Sequence, residues 1–487
     1  MPSAFNSGDT AWVLASSAMV LLMTPGLAFF YGGMVRAKSV LNMLMMNFIA
    51  IAVVTVLWVL YGWSVSFGNV GAGDGRGNGF WGGLHQWALH DIGQGFGSSH
   101  GGSLFGTTGV PTIAVVCFQL MFAIITPALI SGSIADRTKF VGWTVYVAAW
   151  VTVVYFPVAH WVFSPNGFIF WKLHVMDFAG GTAVEINSGA AGLAMALVLG
   201  KRIGYRRDSM RPHNVPLVML GAGLLWFGWF GFNAGSALAA NGQAAMVFVN
   251  TQIAGCTAML AWLAAEKIQH GTFTSLGAAS GAVAGLVAIT GSCASVSPLG
   301  ALFVGLIAGF VCCYAVNLKN RLGFDDSLDV VGVHLVGGVL GVLLIGLFAT
   351  KEMASGFING AKAGLFYGGG LTQLVRQAEG AGIVFLYSFV LSLLLGFAVH
   401  KTIGLRVSAE AEVEGIDGAE HSETAYDWGR LAGTLRTAFT EHGGPTAAAA
   451  AGTSKSTGTG TGTSTSTSQR PAVVGQRGAA SAQMTSS

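Results

Sequence analysis

Eleven apolar runs, each long enough to cross a lipid bilayer as a helix, restrict this chain to very few folds. A helix needs about 20 mostly apolar residues to span the hydrocarbon core. The runs cover residues 11–35, 40–67, 109–135, 140–163, 178–200, 215–239, 244–265, 276–293, 299–317, 330–350 and 381–399. Because lipid offers no hydrogen-bond partners to an exposed backbone, they predict an all-α integral membrane protein with eleven transmembrane helices.

The charge content also indicates that a bilayer is the main solvent. Only 9% of the 487 residues are charged, against about 25% in a typical soluble domain. The net charge of +3 gives no indication of nucleic-acid binding. We interpret the cysteines as packing residues, because they have neither metal-ligand spacing nor an extracellular pairing pattern. All of them lie inside apolar runs: Cys117, Cys256, Cys293, Cys312 and Cys313.

Basic residues in the loops predict the orientation of the chain. When the loops are assigned alternately to two sides, one side carries 14 Lys and Arg residues and the other carries 5. The positive-inside rule then places the N-terminus outside and the C-terminus in the cytoplasm of a cell-membrane protein. The first basic residue is Arg36, so we expect no cleavable secretory signal.

The composition divides the chain into three parts. A transmembrane domain is expected over residues 8–404, with two long outer loops at residues 69–108 and 351–380. A charged tail follows at residues 405–442. Residues 443–487 repeat Ala, Gly, Ser and Thr, which cannot bury enough apolar surface to fold, so this extension is expected to be disordered.

The fifth and tenth runs look alike, which suggests an internal repeat. The fifth opens near Asp177 and carries Glu185, the tenth opens near Asp329 and carries His334, and both continue with spaced glycines. Runs one to five and six to ten would then be halves of opposite topology, related by a pseudo-twofold axis as in many transporters. The eleventh run would stand outside this 5+5 inverted repeat.

Ionisable side chains inside a transmembrane run are costly to bury and are functional candidates. Glu185 and His334 are the two clearest cases. A structural interpretation stays open for each, since Glu185 could pair with Ser or Thr between helices and His334 could bond a backbone carbonyl. Asp177 lies at the outer end of the fifth run, where it could cap the helix or favour a cation at a pore mouth.

Aromatic residues cluster in or near the third, fourth and sixth runs. Most rings at such positions pack or anchor at a membrane interface. A subset that faces a vestibule would instead attract an alkylammonium-like cation through the ring quadrupoles. The cluster contains Phe118, Phe122, Trp161, Phe163, Trp226, Trp229, Phe230 and Phe232.

Four motifs, in order along the chain, resemble the Amt/Mep branch of the Amt/Mep/Rh ammonium transporters. They are FYGGMVR at residues 30–36, DFAGGT at 177–182, GWFGFNAGS at 228–236 and DVVGVH at 329–334. The resemblance extends over about residues 8–428. It implies a homotrimer in which each chain has its own pore. It also implies that Phe122, Phe163 and Ser236 bind ammonium at an outer site, which Asp177 organises without touching the substrate.

The resemblance also implies a pore below that outer site. Ammonia would cross an apolar constriction that rejects any ion that stays charged, because burying a bare charge is expensive. Phe118 or Phe122 with Phe232 resembles the stacked ring pair that closes the pore, and His334 resembles one of the family's two pore histidines. The residues expected to line the pore are Phe118, Phe232, Trp229, Glu185 and His334.

Two positions depart from the family pattern. Glu185 stands where most relatives carry the first pore histidine, and we interpret it as a change in proton handling rather than an inactivating one. Phe163 stands where many relatives carry Trp, the stronger cation–π partner. Trp161 could compensate, although a side chain two residues away points elsewhere on a helix.

The substrates and partners expected from the resemblance are ammonium or ammonia and methylammonium, with no cofactor. Residues 415–426 resemble the family's cytoplasmic regulatory tail, which packs under neighbouring subunits, and a PII-type regulatory protein could dock on that face. Two alternatives stay open: an ammonium sensor that signals through the tail, and a channel for a neutral solute, which would not need a cation–π site. An enzyme is not expected, because the sequence offers no nucleophile–base pair, metal cluster or phosphate loop.

Overall fold

The computed structural model describes residues 5–68, 79–90, 92, 109–357 and 360–426. Eleven helices in these ranges are long and apolar enough to cross a membrane. We number them α1 (Ser7–Met34), α2 (Ala37–Phe67), α3 (Thr112–Ile134), α4 (Phe140–Trp171), α5 (Gly181–Leu199), α6 (Val215–Gly235), α7 (Gly242–His270), α8 (Ser275–Ser292), α9 (Pro298–Leu322), α10 (Val331–Phe348) and α11 (Thr372–Thr402). Most of the predicted loop 69–108, the tail beyond residue 426 and the extension 443–487 lie outside the described residues.

The prediction of an all-α protein with eleven transmembrane helices is confirmed. The boundaries differ most at α11, which begins at Thr372 although its apolar run begins only at residue 381. Its first turns carry Gln373, Arg376 and Gln377, polar residues that a search for apolar runs excludes. Among the described residues, two further short α-helices lie outside these spans, Lys351–Phe357 before α11 and Ala409–Glu414 in the tail.

Helices α5 and α10 begin in the same unusual way. Each opens with a π-helical turn, Gly181–Ile186 in α5 and Val331–Leu335 in α10, and such turns are frequent at functional sites. An aspartate caps each turn, and in α10 it is Asp326, which accepts hydrogen bonds from the N–H groups of Val330 (3.1 Å) and Val331 (2.8 Å). In α10 the counterpart of Asp177 is therefore Asp326. The sequence comparison of the fifth and tenth runs paired Asp177 with Asp329, and that pairing was wrong.

Asp329 has a different environment from the capping aspartate three residues before it. Its carboxylate lies 2.5 Å from the ammonium group of Lys319, and its backbone has a positive φ of 65°. With Asp326 as the reference, the polar residues of the two helices fall at the same position along each helix. The capping aspartate precedes Glu185 in α5 and His334 in α10 by the same number of positions.

The tail packs against one end of the bundle, which we call the tail end. Asp417 accepts hydrogen bonds from the N–H groups of Leu41 (3.0 Å) and Asn42 (2.8 Å) at the start of α2. Glu412 accepts one from the N–H of Ile203 (2.6 Å) and forms an ion pair with Arg406 (2.7 Å). The tail thus contacts helix ends of its own chain, through buried carboxylates that satisfy free backbone donors.

A network of ion pairs braces the same end. Arg202 binds Asp325 through two hydrogen bonds of 2.9 Å and lies 3.4 Å from Asp136. Burial alone would lower the pKa of Arg202, but the two aspartates raise it above its ordinary value, so the guanidinium stays charged. Arg137 is fully buried, and burial lowers its pKa to about 10. The helix ends at the tail end are therefore held by charge as well as by packing.

Candidate functional site

Asp177 lies at the end of the bundle opposite the tail, which we call the outer end, and caps α5 with both carboxylate oxygens. Oδ1 accepts hydrogen bonds from the N–H groups of Gly180 (2.7 Å) and Gly181 (2.8 Å), and Oδ2 from those of Thr182 (2.6 Å) and Ala183 (3.2 Å). Gly180 has a φ of +114°, a conformation that favours glycine, and this turn brings the donors around the carboxylate. All four hydrogen bonds come from backbone N–H groups, so the carboxylate stabilises the N-terminal turn of α5.

Three of the predicted aromatic residues lie together between α3 and α6. The rings of Phe122 and Phe232 are stacked, with centroids 4.1 Å apart and planes at 14°. Phe118 meets Phe122 edge-on at 4.9 Å, so the ring that stacks on Phe232 is Phe122. The three side chains are almost completely buried, and the stack places apolar surface between α3 and α6.

The other predicted members of the outer site lie beside this stack. Phe163 meets Phe122 edge-on at 6.1 Å, and a Cβ atom placed on Gly180 would lie 3.5 Å from the Phe163 ring. Ser236 is half-buried at the end of α6, where its hydroxyl donates a hydrogen bond to the carbonyl oxygen of Phe232 (2.8 Å). The Asp177 turn, the ring of Phe163 and the ring stack are thus neighbours.

Trp161 does not take the place of a tryptophan at position 163. Its indole N–H donates to the carbonyl oxygen of Phe80 (2.8 Å), and its ring packs against Tyr387 and Phe168. These contacts point the side chain away from Phe122, as the helical spacing suggests. The only ring that α4 places against the stack among the described aromatic contacts is Phe163.

Glu185 and His334 meet in the centre of the bundle. Nδ1 of His334 lies 2.7 Å from Oε2 of Glu185, a separation that requires one hydrogen between the two atoms. Both side chains are almost completely buried, with 1% of Glu185 and 3% of His334 exposed. The partner of each is the other, rather than the Ser, Thr or backbone carbonyl of the structural interpretations.

Two glycines allow α5 and α10 to approach closely enough for this contact. A Cβ atom on Gly189 would lie 2.4 Å from the backbone nitrogen of Leu335, and one on Gly338 would lie 2.9 Å from Cβ of Glu185. Each glycine lies one turn after the polar residue of its own helix. The spaced glycines noted in the two runs therefore make the crossing point at which the polar pair forms.

The polar pair lines a narrow cavity below the ring stack. Its walls are mostly apolar and include Leu27, Trp229 and Phe232 as well as Glu185 and His334. The indole N–H of Trp229 is occupied by a hydrogen bond to Thr290 (2.8 Å). His334 also lines a second cavity towards the tail end, which contains Ser280 and Asp329. His334 therefore lines both cavities and lies between them.

Sequence reasoning missed two kinds of residue around this site. Asp326 was overlooked, although its spacing to His334 equals that from Asp177 to Glu185. Thr290 and two buried glutamines of α11 gave no signal, because nothing local shows which distant groups their side chains bind. Among the described residues, no cluster of three or more His, Cys, Asp or Glu side chains is placed to hold a metal ion.

A comparison with known proteins decides the family. The model of the Ammonium Transporter Family matches residues 11–426. The chain belongs to this family. An ammonium transporter of Mycobacterium tuberculosis is 57% identical over 444 residues, covering 88% of this chain and 92% of the relative. The chain is accordingly a multi-pass membrane protein built on the ammonium-transporter fold.

Solved structures of this family share the arrangement of helices. The crystal structure of Mep2 from Candida albicans is similar with a TM-score of 0.75 at 32% identity, covering 83% of this chain and 87% of that one. A protein described as a sensor Amt protein is similar with a TM-score of 0.74 at 28% identity, covering 85% of this chain and 98% of the other. Both a transporter name and a sensor name thus occur on this fold.

Proposed function

We propose that this protein carries ammonium across the cell membrane by binding the ion at the outer aromatic site, removing one proton and passing ammonia through the pore. The contact between Glu185 and His334 carries the proposal. The two side chains meet in a mostly apolar cavity immediately below the Phe122–Phe232 stack, which supports a role in accepting the proton. A cation that reaches the stack finds cation–π partners above it and no solvent-like environment within it.

The ring stack accounts for selectivity between ammonium and metal cations. Ammonium and potassium ions are similar in size and charge, so a cavity alone would discriminate poorly between them. Only ammonium can become neutral by losing a proton. Phe122 and Phe232 offer an apolar barrier in which a bare charge is expensive and a neutral amine is not. The barrier thus selects for the ability to lose a proton rather than for size.

The Glu185–His334 pair then handles the proton. A carboxyl group and an imidazole that share one hydrogen can exchange the side on which it resides. Such a pair can accept the proton that ammonium loses, offer a hydrogen bond to the ammonia that follows, and release the proton towards the second cavity, which His334 also lines. We infer that Glu185 gives this chain a proton route that differs from that of relatives with two pore histidines.

The outer site, its orientation and the assembly belong to the same proposal. Phe122, Phe163 and Ser236 would hold ammonium or methylammonium on the extracellular side, with the N-terminus outside and the C-terminus cytoplasmic. Asp177 would organise this site through its backbone hydrogen bonds. Three chains would assemble, each with its own pore, and a PII-type protein is a candidate partner at the tail end.

Uptake of labelled methylammonium, measured in cells that lack their own ammonium transporters, tests the proposal. We expect uptake by the natural protein, and about a threefold lower KM for Phe163→Trp, because Trp is the stronger cation–π partner. Trp171, an exposed tryptophan beyond the site, provides the matched control: Trp171→Phe should leave KM unchanged. Absence of uptake by the natural protein at every pH would rule out transport.

An ammonium sensor is the second candidate, favoured by the similarity to a protein described as a sensor Amt protein. The tail contacts the start of α2 and the turn after α5 through Asp417 and Glu412. Truncation after Arg406 separates the candidates. We expect a transporter to retain part of its methylammonium uptake, whereas a sensor would lose its ammonium-dependent reporter response without any uptake in either form.

A further inference from the structure

Two buried glutamines of α11 hold the segment that leads into Asp177. Oε1 of Gln377 accepts a hydrogen bond from the N–H of Met176 (2.8 Å), and its Nε2 donates one to the carbonyl oxygen of the same residue (2.8 Å). Gln373 donates to the carbonyl oxygen of His174 (3.0 Å) and to Oε1 of Gln377 (2.9 Å). Both glutamines are fully buried, so each amide replaces water for backbone groups that would otherwise be unsatisfied.

The face of α11 that carries Gln373 and Gln377 also packs along α5 and the segment before it. One turn below Gln377, Gly380 allows close contact, since a Cβ atom there would lie 2.8 Å from the side chain of Val175. Further down, the hydroxyl of Ser388 donates a hydrogen bond to Oδ1 of Asn187. The helix that stands outside the inverted repeat is therefore packed along the helix that begins at the Asp177 cap and carries Glu185.

The inner counterpart of this segment is held by a different chemistry. The segment around Asp326 is bound by the guanidinium of Arg137, which donates to the carbonyl oxygen of Asp325 (2.6 Å) and to the hydroxyl of Ser327 (2.6 Å). An arginine in the outer position would bring a positive charge close to a site that must attract a cation. An amide provides N–H donors with no net charge, and it also provides an acceptor.

We propose that Gln377, supported by Gln373, is a positioning residue for substrate recruitment. Its two hydrogen bonds fix the backbone of Met176. Because Asp177 is the next residue, they also fix the position of the carboxylate that binds the turn at Gly180. That turn lies beside the ring of Phe163, so a shift of the segment would move the aromatic site relative to the pore. The proposal rests on the proposed function, since it assumes that a cation binds at Phe122, Phe163 and Ser236.

Two substitutions and a matched control test this role in the full-length protein. Gln377→Leu removes both hydrogen bonds to Met176 and should raise the KM for methylammonium about tenfold, with a smaller change in Vmax. In Gln377→Glu a protonated carboxyl group can replace both the donor and the acceptor, but an ionised one cannot donate. The ratio of its KM to that of the natural protein should therefore rise with pH. Gln252→Leu, at an exposed position on α7, should change neither parameter.

The outcomes separate this proposal from the proposed function. If the natural protein shows uptake but Gln377→Glu has a KM ratio that is independent of pH, the positioning role is wrong. A loss of Vmax alone in both variants would likewise identify a structural role and overturn the proposal. Should Gln377→Leu be absent from the membrane fraction, the pH dependence of Gln377→Glu decides alone. Failure of the natural protein to take up methylammonium would contradict the proposed function itself.

Discussion

Replacement of Glu185 by glutamine is expected to reduce ammonium flux about a hundredfold, the lower end of what a general acid or base contributes. Glutamine has nearly the same shape and can still hydrogen-bond to Nδ1 of His334, which lies 2.7 Å from the carboxylate. It cannot accept or release a proton near neutral pH. The substitution therefore keeps the contact between α5 and α10 and removes only the exchangeable proton.

Glu185→His tests the same idea from the other side. It introduces a second imidazole beside His334, the pair that the resemblance implies for most relatives. We expect transport to survive with an altered pH dependence, because an imidazole and a carboxyl group titrate in different ranges. Flux and current should both be measured in proteoliposomes over a series of pH values. If current, flux and pH profile all remain those of the natural protein, the role in proton handling is wrong.

Controls distinguish chemistry from structure at this position. Glu266→Gln, on α7, replaces a carboxylate that binds only the backbone and hydroxyl of Thr274 at the turn before α8, so its flux should remain unchanged. Glu185→Leu leaves the buried imidazole of His334 without a hydrogen-bond partner. The free-energy cost of this unsatisfied group is larger than the net stabilisation from the original hydrogen bond. Loss of expression or of assembled protein in Glu185→Leu, with normal flux in Glu185→Gln, would favour the structural interpretation.

The sequence identified the parts of the site that lie within an apolar run. Glu185 and His334 stand out because an ionisable group there has few structural uses. Their direct contact could not be predicted, since it depends on how closely α5 and α10 cross at Gly189 and Gly338. Which of Phe118 and Phe122 stacks on Phe232 could not be predicted either, because it also depends on how the helices pack. The two lie one turn apart on one face of α3, and only the position of α6 selects Phe122 as the ring that stacks.

Residues outside the apolar runs were harder to interpret. Gln373 and Gln377 belong to turns of α11 that carry charge, so the search for apolar runs placed them in a loop. Their partners lie about 200 positions earlier in the chain, and no local pattern reports such a contact. Asp326 could have been found, because the equal spacing from each aspartate to the polar residue of its helix was visible in the sequence.

Replacement of Asp177 by asparagine is expected to abolish most transport and to destabilise the protein by roughly 2–6 kcal/mol, since two buried N–H groups lose their acceptor. The carboxylate accepts four backbone hydrogen bonds, two on each oxygen. An asparagine keeps one oxygen and turns an NH2 group towards the other two donors. Uptake kinetics and the thermal unfolding of the solubilised protein measure the two effects separately.

Asp326→Asn is the matched control, because the inverted repeat places Asp326 at the corresponding cap of α10. Asp326 accepts only two backbone hydrogen bonds, one on each oxygen, so its replacement leaves one N–H group unsatisfied and should cost about half as much. It lies at the tail end, away from the proposed outer site. We therefore expect its KM for methylammonium to stay near that of the natural protein, whereas the KM of Asp177→Asn rises.

Asp177→Glu decides whether geometry or charge matters at the outer cap. It retains the negative charge near the aromatic site, but its longer side chain cannot hold both oxygens within 2.6–3.2 Å of the same four N–H groups. If the cap positions Phe163 and the start of α5, Asp177→Glu should lose transport nearly as completely as Asp177→Asn. Normal transport by Asp177→Glu alone would show that the carboxylate acts by attracting the cation. Because all four of its hydrogen bonds go to the backbone of α5, we expect the first result.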